Sequence, residues 1–513
     1  MKRRLLLFCA VLGLVDVHSA ERPNVVVILA DDMGFSDLGC YGGEIQTPHL
    51  DRLAAEGLRF SQFYNCALCG PSRAALLTGL HPHQAGVTQW TGVLKPQATT
   101  IFEQLKAGGY ATCAVGRLDM LTSADWREPV NLARHVDRFF GTTGHKGPGN
   151  YFSNTRNTDF WRDGRPYVMP AGSYKTDLIT DFAVDFVRTR DPARPFLLYL
   201  AHYAPHWPLH AKPEDIAKYR DLYRQRGWDA IREQRLRGLV ERGLLPAHTR
   251  LAPRDARAAP WEEAKFHDWE AERMAVYAAQ IDSLDQSVGR LMAALRESGA
   301  ERDTLVFFLS DNGASDKAVG PLDKPGLTWR ADGVRTRVGN KPDIQPGPGD
   351  TFVTAGPAWS STANTPFRDH KQSAYEGGIA SPLIVWGAGR VTNPGSVSTE
   401  LSHITDLSAT ILEVAGQSWP AEFEGRRLLP IAGRSLLPVL RGGTRAGHET
   451  LCWAVSGSKA VRQGDWKLVA KAGGPWELYD LSRDRAEQVN LASTQPQRVA
   501  ALIEVFKAWQ AEP

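Results

Sequence analysis

The sequence predicts an α/β fold: a large mixed sheet flanked by helices, followed by a smaller C-terminal α+β domain carrying an antiparallel sheet. Three observations predict it. Uninterrupted aliphatic and β-branched runs, such as residues 24–30 and 304–310, suit strands buried on both faces of a sheet. These runs alternate with helical periodicities up to residue 415, the order of a layered α/β unit. Beyond that point the texture changes to short strands and one closing helix.

Each element has a local reason. Residues 24–30, Asn-Val-Val-Val-Ile-Leu-Ala, form the first strand, and Asp31 and Asp32 follow it directly. The segment 47–57 reads as a helix, with Thr47 as N-cap, Pro48 at the first helical position, apolar residues at helical spacing and Gly57 as terminator. Further strands are predicted at 110–115, 195–203, 304–310 and 382–386, with helices at 101–106 and 269–297. The Arg-rich polar stretch 212–257 predicts a solvated helical excursion. Residues 316–365, rich in Gly, Pro and Asp, predict a long ordered loop beside a site. A helix at 404–415 is followed by strands at 460–461, 466–471 and 476–481 and a helix at 497–510. The chain thus divides into a leader at 1–19, a large domain at 20–416 and a C-terminal α+β subdomain at 417–513.

Composition narrows the class. The 513 residues carry 60 Lys+Arg against 57 Asp+Glu, a net charge of +3, with 42% hydrophobic and 23% charged residues. This is a globular balance that excludes disorder, collagen and coiled coil, and it sets up no field for nucleic acid. Lys2, Arg3 and Arg4 precede an apolar run at 5–15 and the small residues Ser19 and Ala20, the order of a secretory signal peptide. That run is shorter than the ~20 residues of a membrane span, and no later segment comes closer. A secreted or periplasmic protein with no membrane span is expected. Five cysteines would then remain, Cys40, Cys66, Cys69, Cys113 and Cys452. So sparse and odd a set is a poor disulfide framework and leaves a thiol for chemistry.

Asp31-Asp32 and Asp311-Asn312-Gly313 lie at the carboxyl ends of two buried strands, where α/β sheets bind ligands. Three acids and an amide converging there call for a cation, and hard oxygen donors suit Ca²⁺ or Mg²⁺ rather than Zn²⁺. Taken singly, each acidic pair could equally cap a loop. In Cys69-Gly70-Pro71-Ser72-Arg73, Pro71 and Ser72 set a helix start just after the cysteine, so backbone N–H groups and Arg73 face an anion. Cys66 and Cys69 also form a CxxC spacing, open to coincidence or a redox pair. His202, His206 and His210 imitate a helical zinc pair, but Pro205 and Pro208 interrupt the helix such a pair needs.

The run Cys69-x-Pro71-Ser72-Arg73 with Leu77-Thr78-Gly79 resembles the signature of the sulfatases, formylglycine-dependent members of the alkaline phosphatase superfamily. The resemblance extends from Arg22 to about Trp509. It takes in Pro23-Asn24-Val25 with Asp31-Asp32, Ala204-Pro205-His206-Trp207-Pro208-Leu209 and Ser310-Asp311-Asn312-Gly313. Asn364-Thr365-Pro366-Phe367-Arg368 with Lys371, and Glu376-Gly377-Gly378, complete it. It implies an alkaline-phosphatase-like sheet and hydrolysis of sulfate esters, arylsulfatase-like and directed at sulfated carbohydrates. A formylglycine-generating or equivalent maturation enzyme is implied as a partner, with Cys69 the residue it oxidises. The resemblance also assigns Asp31, Asp32, Asp311, Asn312 and the modified Cys69 to one Ca²⁺ per chain. Arg73 falls to the formylglycine surroundings, Lys371 to the sulfate oxygens and His206 to the leaving oxygen. In that mechanism one hydroxyl of the hydrated aldehyde, acidified by the cation, attacks sulfur, and the second expels sulfate as the aldehyde re-forms.

One stretch departs from the pattern. The family usually carries Gly-Lys-Trp-His, whose Lys and His hold the formylglycine and accept its proton, where this chain has Gly116-Arg117-Leu118-Asp119. Arg117 keeps the charge in a different shape, and an Asp119 carboxyl with the usual pKa of ~3.9 is a weak base at neutral pH. Trp453-Ala454-Val455-Ser456-Gly457 departs as well, where related sequences carry acidic and histidine residues. Two readings therefore stand beside a working sulfatase. One is a catalytically impaired homologue that binds sulfated glycans; the other is a phosphonate or phosphodiester hydrolase, which Asn312 disfavours because those enzymes place His there.

Overall fold

The computed structural model describes residues 22–90, 92–119, 135–143, 149–154, 160–320 and 329–512. The signal peptide expected at 1–19 lies outside them. Parallel strands Thr304–Ser310, Asn24–Asp31, Phe196–Pro205, Ala111–Arg117 and Arg138–Thr142 form the middle of a ten-stranded mixed sheet, in that order. One edge adds Leu383–Trp386, antiparallel to both neighbours, then Leu58–Phe60 and Val397–Ser398. The other edge adds the antiparallel pair Phe160–Arg162 and Arg165–Pro166.

Every residue of Asn24–Asp31 is buried, as its continuous apolar run requires. Alternation splits that run between two cores. Val26, Ile28 and Ala30 pack with residues of the helices Lys175–Thr189 and His267–Glu297, while Val25, Val27 and Leu29 pack with residues of Ile101–Ala107 and Asp406–Val414.

The predicted strands and helices recur within a few residues of their expected bounds. The helix Pro48–Glu56 forms as expected, but Thr47 does not cap it. Its hydroxyl accepts from Gly39 N and donates to Asp51, and the N–H groups of His49 and Leu50 instead donate to the Asp285 carboxylate, at 3.1 and 2.8 Å. The expected solvated excursion also needs correction. Residues 212–257 contain the helices Pro213–Ala217 and Arg220–Glu241, the latter broken at Gly227, and Tyr223, Trp228, Ile231 and Leu239 are buried. Arg235 is fully buried between Asp37, at 2.6 Å, and Glu44, at 2.7 Å.

The long loop expected at 316–365 is partly regular. It holds the strand pair Arg337–Val338 and Thr351–Phe352 and the helix Gly356–Ala363, whose Trp359 is buried among Tyr223, Trp228 and Trp261. Its far end does lie beside the acidic residues, since Asn364 Oδ1 accepts from Ala314 N at 2.8 Å.

Beyond it, Thr450–Val455, Ser458–Gln463, Trp466–Ala470 and Glu477–Asp480 make a separate antiparallel sheet. Leu502 and Phe506 of the closing helix Pro496–Gln510 cover it. Sequence patterning missed the strand Thr450–Val455. The sheet is tied to the large one by a buried charge cluster, in which Lys467 Nζ donates to Glu376 at 2.9 Å and pairs with Glu487 at 2.8 Å, and Arg485 pairs with Glu376 at 3.1 Å. No helix among the described residues is long and apolar enough to cross a membrane.

Candidate active site

Sheet topology assembles the site. Asn24–Asp31 and Thr304–Ser310 pair in parallel with Ala30 opposite Ser310, so Asp31-Asp32 and Asp311-Asn312 emerge side by side. His206 directly follows the next strand, Phe196–Pro205, and Arg117 ends the one beyond it, Ala111–Arg117. All four strand ends face the same edge because the strands are parallel.

The helix Cys69–Thr78 starts at this edge, and here the sequence reading shifts slightly: Cys69 is the first helical residue and Leu68 the N-cap. Gly70 is required by close approach. A Cβ there would lie 2.6 Å from the carbonyl oxygen of Gln89 and 2.8 Å from that of Trp90.

The acids, the amide and the basic side chains assigned by the resemblance, with Arg117 and Asp119, join one buried network. Lys371 and Asn312 donate to Asp32 Oδ1, Asn312 at 2.7 Å, and His206 Nε2 stands 3.5 Å from Asp32 Oδ2. Arg73 donates to Asp311 Oδ2 through Nε, at 3.1 Å, and Nη2, at 2.8 Å; Nη2 also lies 3.4 Å from Asp31. Arg117 donates to Asp31, and its Nε is 2.6 Å from Asp119. Each of the three acids has a basic side chain against it, which relieves part of the mutual repulsion expected of them.

That balance is incomplete. Asp31 Oδ1, Asp32 Oδ2 and Asn312 Oδ1 are buried and accept no hydrogen bond among the described residues. One ligand atom each from Asp31, Asp32 and Cys69 falls within a 4.8 Å span. Buried acceptors without donors are costly, and several on carboxylates mark a place for a positive ion. Carboxylate and amide oxygens are the donor set of Ca²⁺ or Mg²⁺, so the residues fit such an ion.

The electrostatics follow from burial and these pairs. Burial alone would raise the Asp31 carboxyl, but Arg117, His206, Arg73 and Lys371 outweigh it and hold the group well below the usual range. Asp311 goes the other way, pushed up by burial and by the charge of Asp31. Burial brings His206 down to about 4, leaving a neutral imidazole whose Nδ1 lies 2.6 Å from the Trp207 carbonyl oxygen. Burial also pushes the Cys69 thiol up to about 12, against the pull of Lys371 and Arg117. At neutral pH this sulfur stays a protonated thiol, and thiols react as thiolates.

The rival motifs dissolve. Cys66 and Cys69 are both free, and the Cys66 sulfur lies 3.8 Å from His403 Nε2. His202 sits within a strand, with Nε2 3.3 Å from Ser287 Oγ, so the histidine triplet shares no helix.

A family model described as Sulfatase matches residues 23–417. The chain belongs to the sulfatase family. A second model, described as N-sulphoglucosamine sulphohydrolase, C-terminal, matches residues 367–508 of this sulfatase. The arylsulfatase of Klebsiella aerogenes is 31% identical, over 82% of this chain and 93% of that protein. The N-acetylgalactosamine-6-sulfatase of Canis lupus familiaris is 29% identical, over 90% of this chain and 74% of its own. The crystal structure of Ps i-CgsB in complex with k-i-k-neocarrahexaose shares the fold, with a TM-score of 0.70 at 22% identity, covering 96% of this chain and 93% of that one. The chain is thus a sulfuric ester hydrolase by family.

One residue of the sulfatase site escaped sequence analysis. Lys371 Nζ lies 5.6 Å from the ring centroid of Trp90, which is 42% exposed. A tryptophan in a loop, two residues before Gly92, is the signal that could have found it.

Proposed function

We propose that this sulfatase cleaves sulfate esters of carbohydrates once Cys69 has been converted to formylglycine, with Ca²⁺ held by Asp31, Asp32, Asp311, Asn312 and residue 69. The observation that carries the reading is the set of three donorless buried oxygens beside the first residue of a helix. Bound there, the cation and the hydrated aldehyde supply the nucleophile that a buried, protonated thiol does not.

The other residues have roles their positions support. The N–H groups at the start of Cys69–Thr78 favour an anion at residue 69. Lys371 and Arg117 act electrostatically on Cys69 and are the cations for the sulfate oxygens. Arg73 is held by Asp311 and Asp31 and fixes the surroundings of residue 69. His206 is anchored by Nδ1–H on the Trp207 carbonyl, which leaves Nε2 as the ring nitrogen that must take up a proton before it can pass one to the departing alcohol oxygen.

A cavity of about 280 Å³ has Gln89, Trp453, Ser456 and Trp509 in its lining and none of the charged residues of the network, so its support for a carbohydrate substrate is that of a neighbouring surface. Aromatic walls with a few polar groups suit a sugar face. Ser456 Oγ accepts from Gln372, the residue after Lys371, at 3.2 Å. The sulfatase relative that acts on N-acetylgalactosamine 6-sulfate groups by its name points the same way. We further propose export through the leader at 1–19 to the periplasm or beyond.

The test is direct. Protein coexpressed with a maturation enzyme is digested, the Cys69 peptide is weighed, and sulfate release is followed with Ca²⁺ on aryl sulfates and sulfated sugars. Aldehyde at residue 69 with release from sulfated sugars is the expected result. Aldehyde with no release from any ester would favour the glycan-binding homologue, and a retained thiol would overturn the reading.

A further inference from the structure

Arg117 is held between two carboxylates of unequal standing. Its Nη1 donates to Asp31, and its Nε faces Asp119 at 2.6 Å. Asp31 belongs to the cluster with donorless oxygens, through its Oδ1. Asp119 Oδ2 is likewise buried without a hydrogen-bond donor among the described residues, but Asp119 lies outside the group of Asp31, Asp32 and Cys69 whose ligand atoms fall within 4.8 Å of one another, and the basic side chain against it is Arg117. Both acids are buried, Asp31 at 0% and Asp119 at 3% exposure, so neither charge is screened by water.

The backbone is bent to place Asp119 there. Asp119 adopts φ 54, a left-handed conformation that residues with a side chain rarely take, and Gly116, three residues earlier, has φ 92. A Cβ on Gly116 would lie 1.8 Å from the Ala201 carbonyl oxygen, so the strand end can turn only with glycine. Leu118 N donates to the Thr142 carbonyl at 3.0 Å and pins the turn between. Arg73 donates to the Arg117 carbonyl and fixes the other side. A strained residue held by several contacts, with its carboxylate on a buried arginine, implies a use for that pair.

The use follows from charge. A guanidinium that reaches two buried carboxylates is held in place by both. Without the Asp119 carboxylate, Arg117 is free to close on Asp31, where a divalent cation must also bind. We propose that Asp119 is a positioning residue that holds Arg117 off Asp31 and so keeps Asp31 able to hold the divalent cation. The inference rests on the cation reading of the preceding section, and its consequence reaches the chemistry through Asp31 rather than through proton transfer by Asp119.

The experiment is a double-mutant cycle read by Ca²⁺ titration calorimetry on the full chain stripped with a chelator: wild type, Asp119→Asn, Arg117→Met and the double variant. With Arg117 in place, Asp119→Asn is expected to weaken Ca²⁺ binding by about 10–100-fold, the usual effect of losing a partner of a metal ligand. With Arg117→Met in place, the same substitution is expected to cost less than about twofold, because no guanidinium remains to fall on Asp31. Asp119→Glu is expected to recover most of the affinity. Equal losses in both backgrounds would show a plain through-space charge effect and overturn the proposal, as would no loss in either. If Asp119→Asn does not fold, Arg117→Met against the double variant still decides, since unequal affinities refute the idea. Wild type that takes up no Ca²⁺ would overturn the cation reading itself, a result distinct from an additive cycle.

Discussion

Lys467 gives the sharpest test of what joins the C-terminal sheet to the sulfatase site. The perturbation is Lys467→Met, which keeps the length of the side chain and removes its charge. Lys467 is fully buried, with Glu376 at 2.9 Å and Glu487 at 2.8 Å; Arg485, 3.1 Å from Glu376, and the buried Arg462 are the other cations acting on Glu376. The substitution removes two charge-assisted contacts, each contributing about 1.5–3 kcal/mol, and takes away the lysine that offsets the buried charge of Glu487. Breaking a buried pair costs about 3–5 kcal/mol, within the sum of those contacts. At about 2.1 cal/mol/K per residue, unfolding a chain of this size carries roughly 1 kcal/mol/K of entropy, so Tm should fall by about 3–5 °C. The assay is calorimetric melting beside Lys507→Met, whose partner Glu504 stands 2.7 Å away with both side chains well exposed, 63% and 72%. That control should move Tm by less than about 1 °C. The pH dependence has a definite sign. Burial and the charge of Glu376 push Glu487 up to about 7 against the pull of Lys467, so the folded chain binds the proton more tightly than the unfolded one. The stability this brings is present below the ordinary glutamate range and lost as pH rises through about 7. Without Lys467 that loss deepens, so the deficit of the variant should shrink on acidification from pH ~8 to ~5.5. A Tm shift no larger than that of Lys507→Met, or a deficit that grows on acidification, would refute the reasoning.

Other expectations are narrower. His206→Gln should lower kcat on sugar sulfates by about 10²–10⁴-fold and much less on aryl sulfates with acidic leaving groups, and equal losses on both would remove His206 from the leaving oxygen. Burial alone would raise Glu103, but His135, whose Nδ1 stands 3.4 Å away, and the hydrogen bond from the Thr100 backbone outweigh it and bring the carboxyl to about 2. Its stabilisation is therefore present above the ordinary glutamate range and lost as pH falls through about 2, amounting to ~3 kcal/mol at most. Glu103→Gln should flatten the acid limb of a stability curve over that window, and superimposable limbs would count against the assignment. Asp285→Ala should cost about 1–2 kcal/mol, as for a lost helix cap, because it orphans the N–H groups of His49 and Leu50, whereas Asp285→Asn should recover part of that loss in urea unfolding.

How far the sequence carries can be judged from particular residues. The strand at 304–310 is legible to the residue because a buried parallel strand leaves an uninterrupted apolar run. The segment at 69–79 is legible as the family's signature because that signature is local. The helix Gly356–Ala363 is not, since its Gly, Pro, Ser and Thr content reads as loop and its stability comes from Trp359 among distant rings. Arg235 and Arg237 look alike in one Arg-rich helix, yet the first is fully buried on Asp37 and Glu44 and the second has a side chain 64% exposed. Two positions apart on a helix are about 200° apart around its axis, so burial depends on what packs there.

By itself the sequence determined the layered α/β class, the sulfatase family and the roster of reactive side chains, because strand runs, helix starts and short motifs are properties of neighbouring residues. Only the tertiary structure decided who faces whom. It put Arg117 between Asp31 and Asp119, set Lys371 on Asp32, and left one oxygen each of Asp31, Asp32, Asn312 and Asp119 without a donor among the described residues. Those facts depend on residues dozens to hundreds of positions apart meeting at the ends of parallel strands, and charge and hydrogen bonding act through the distance in space rather than along the chain.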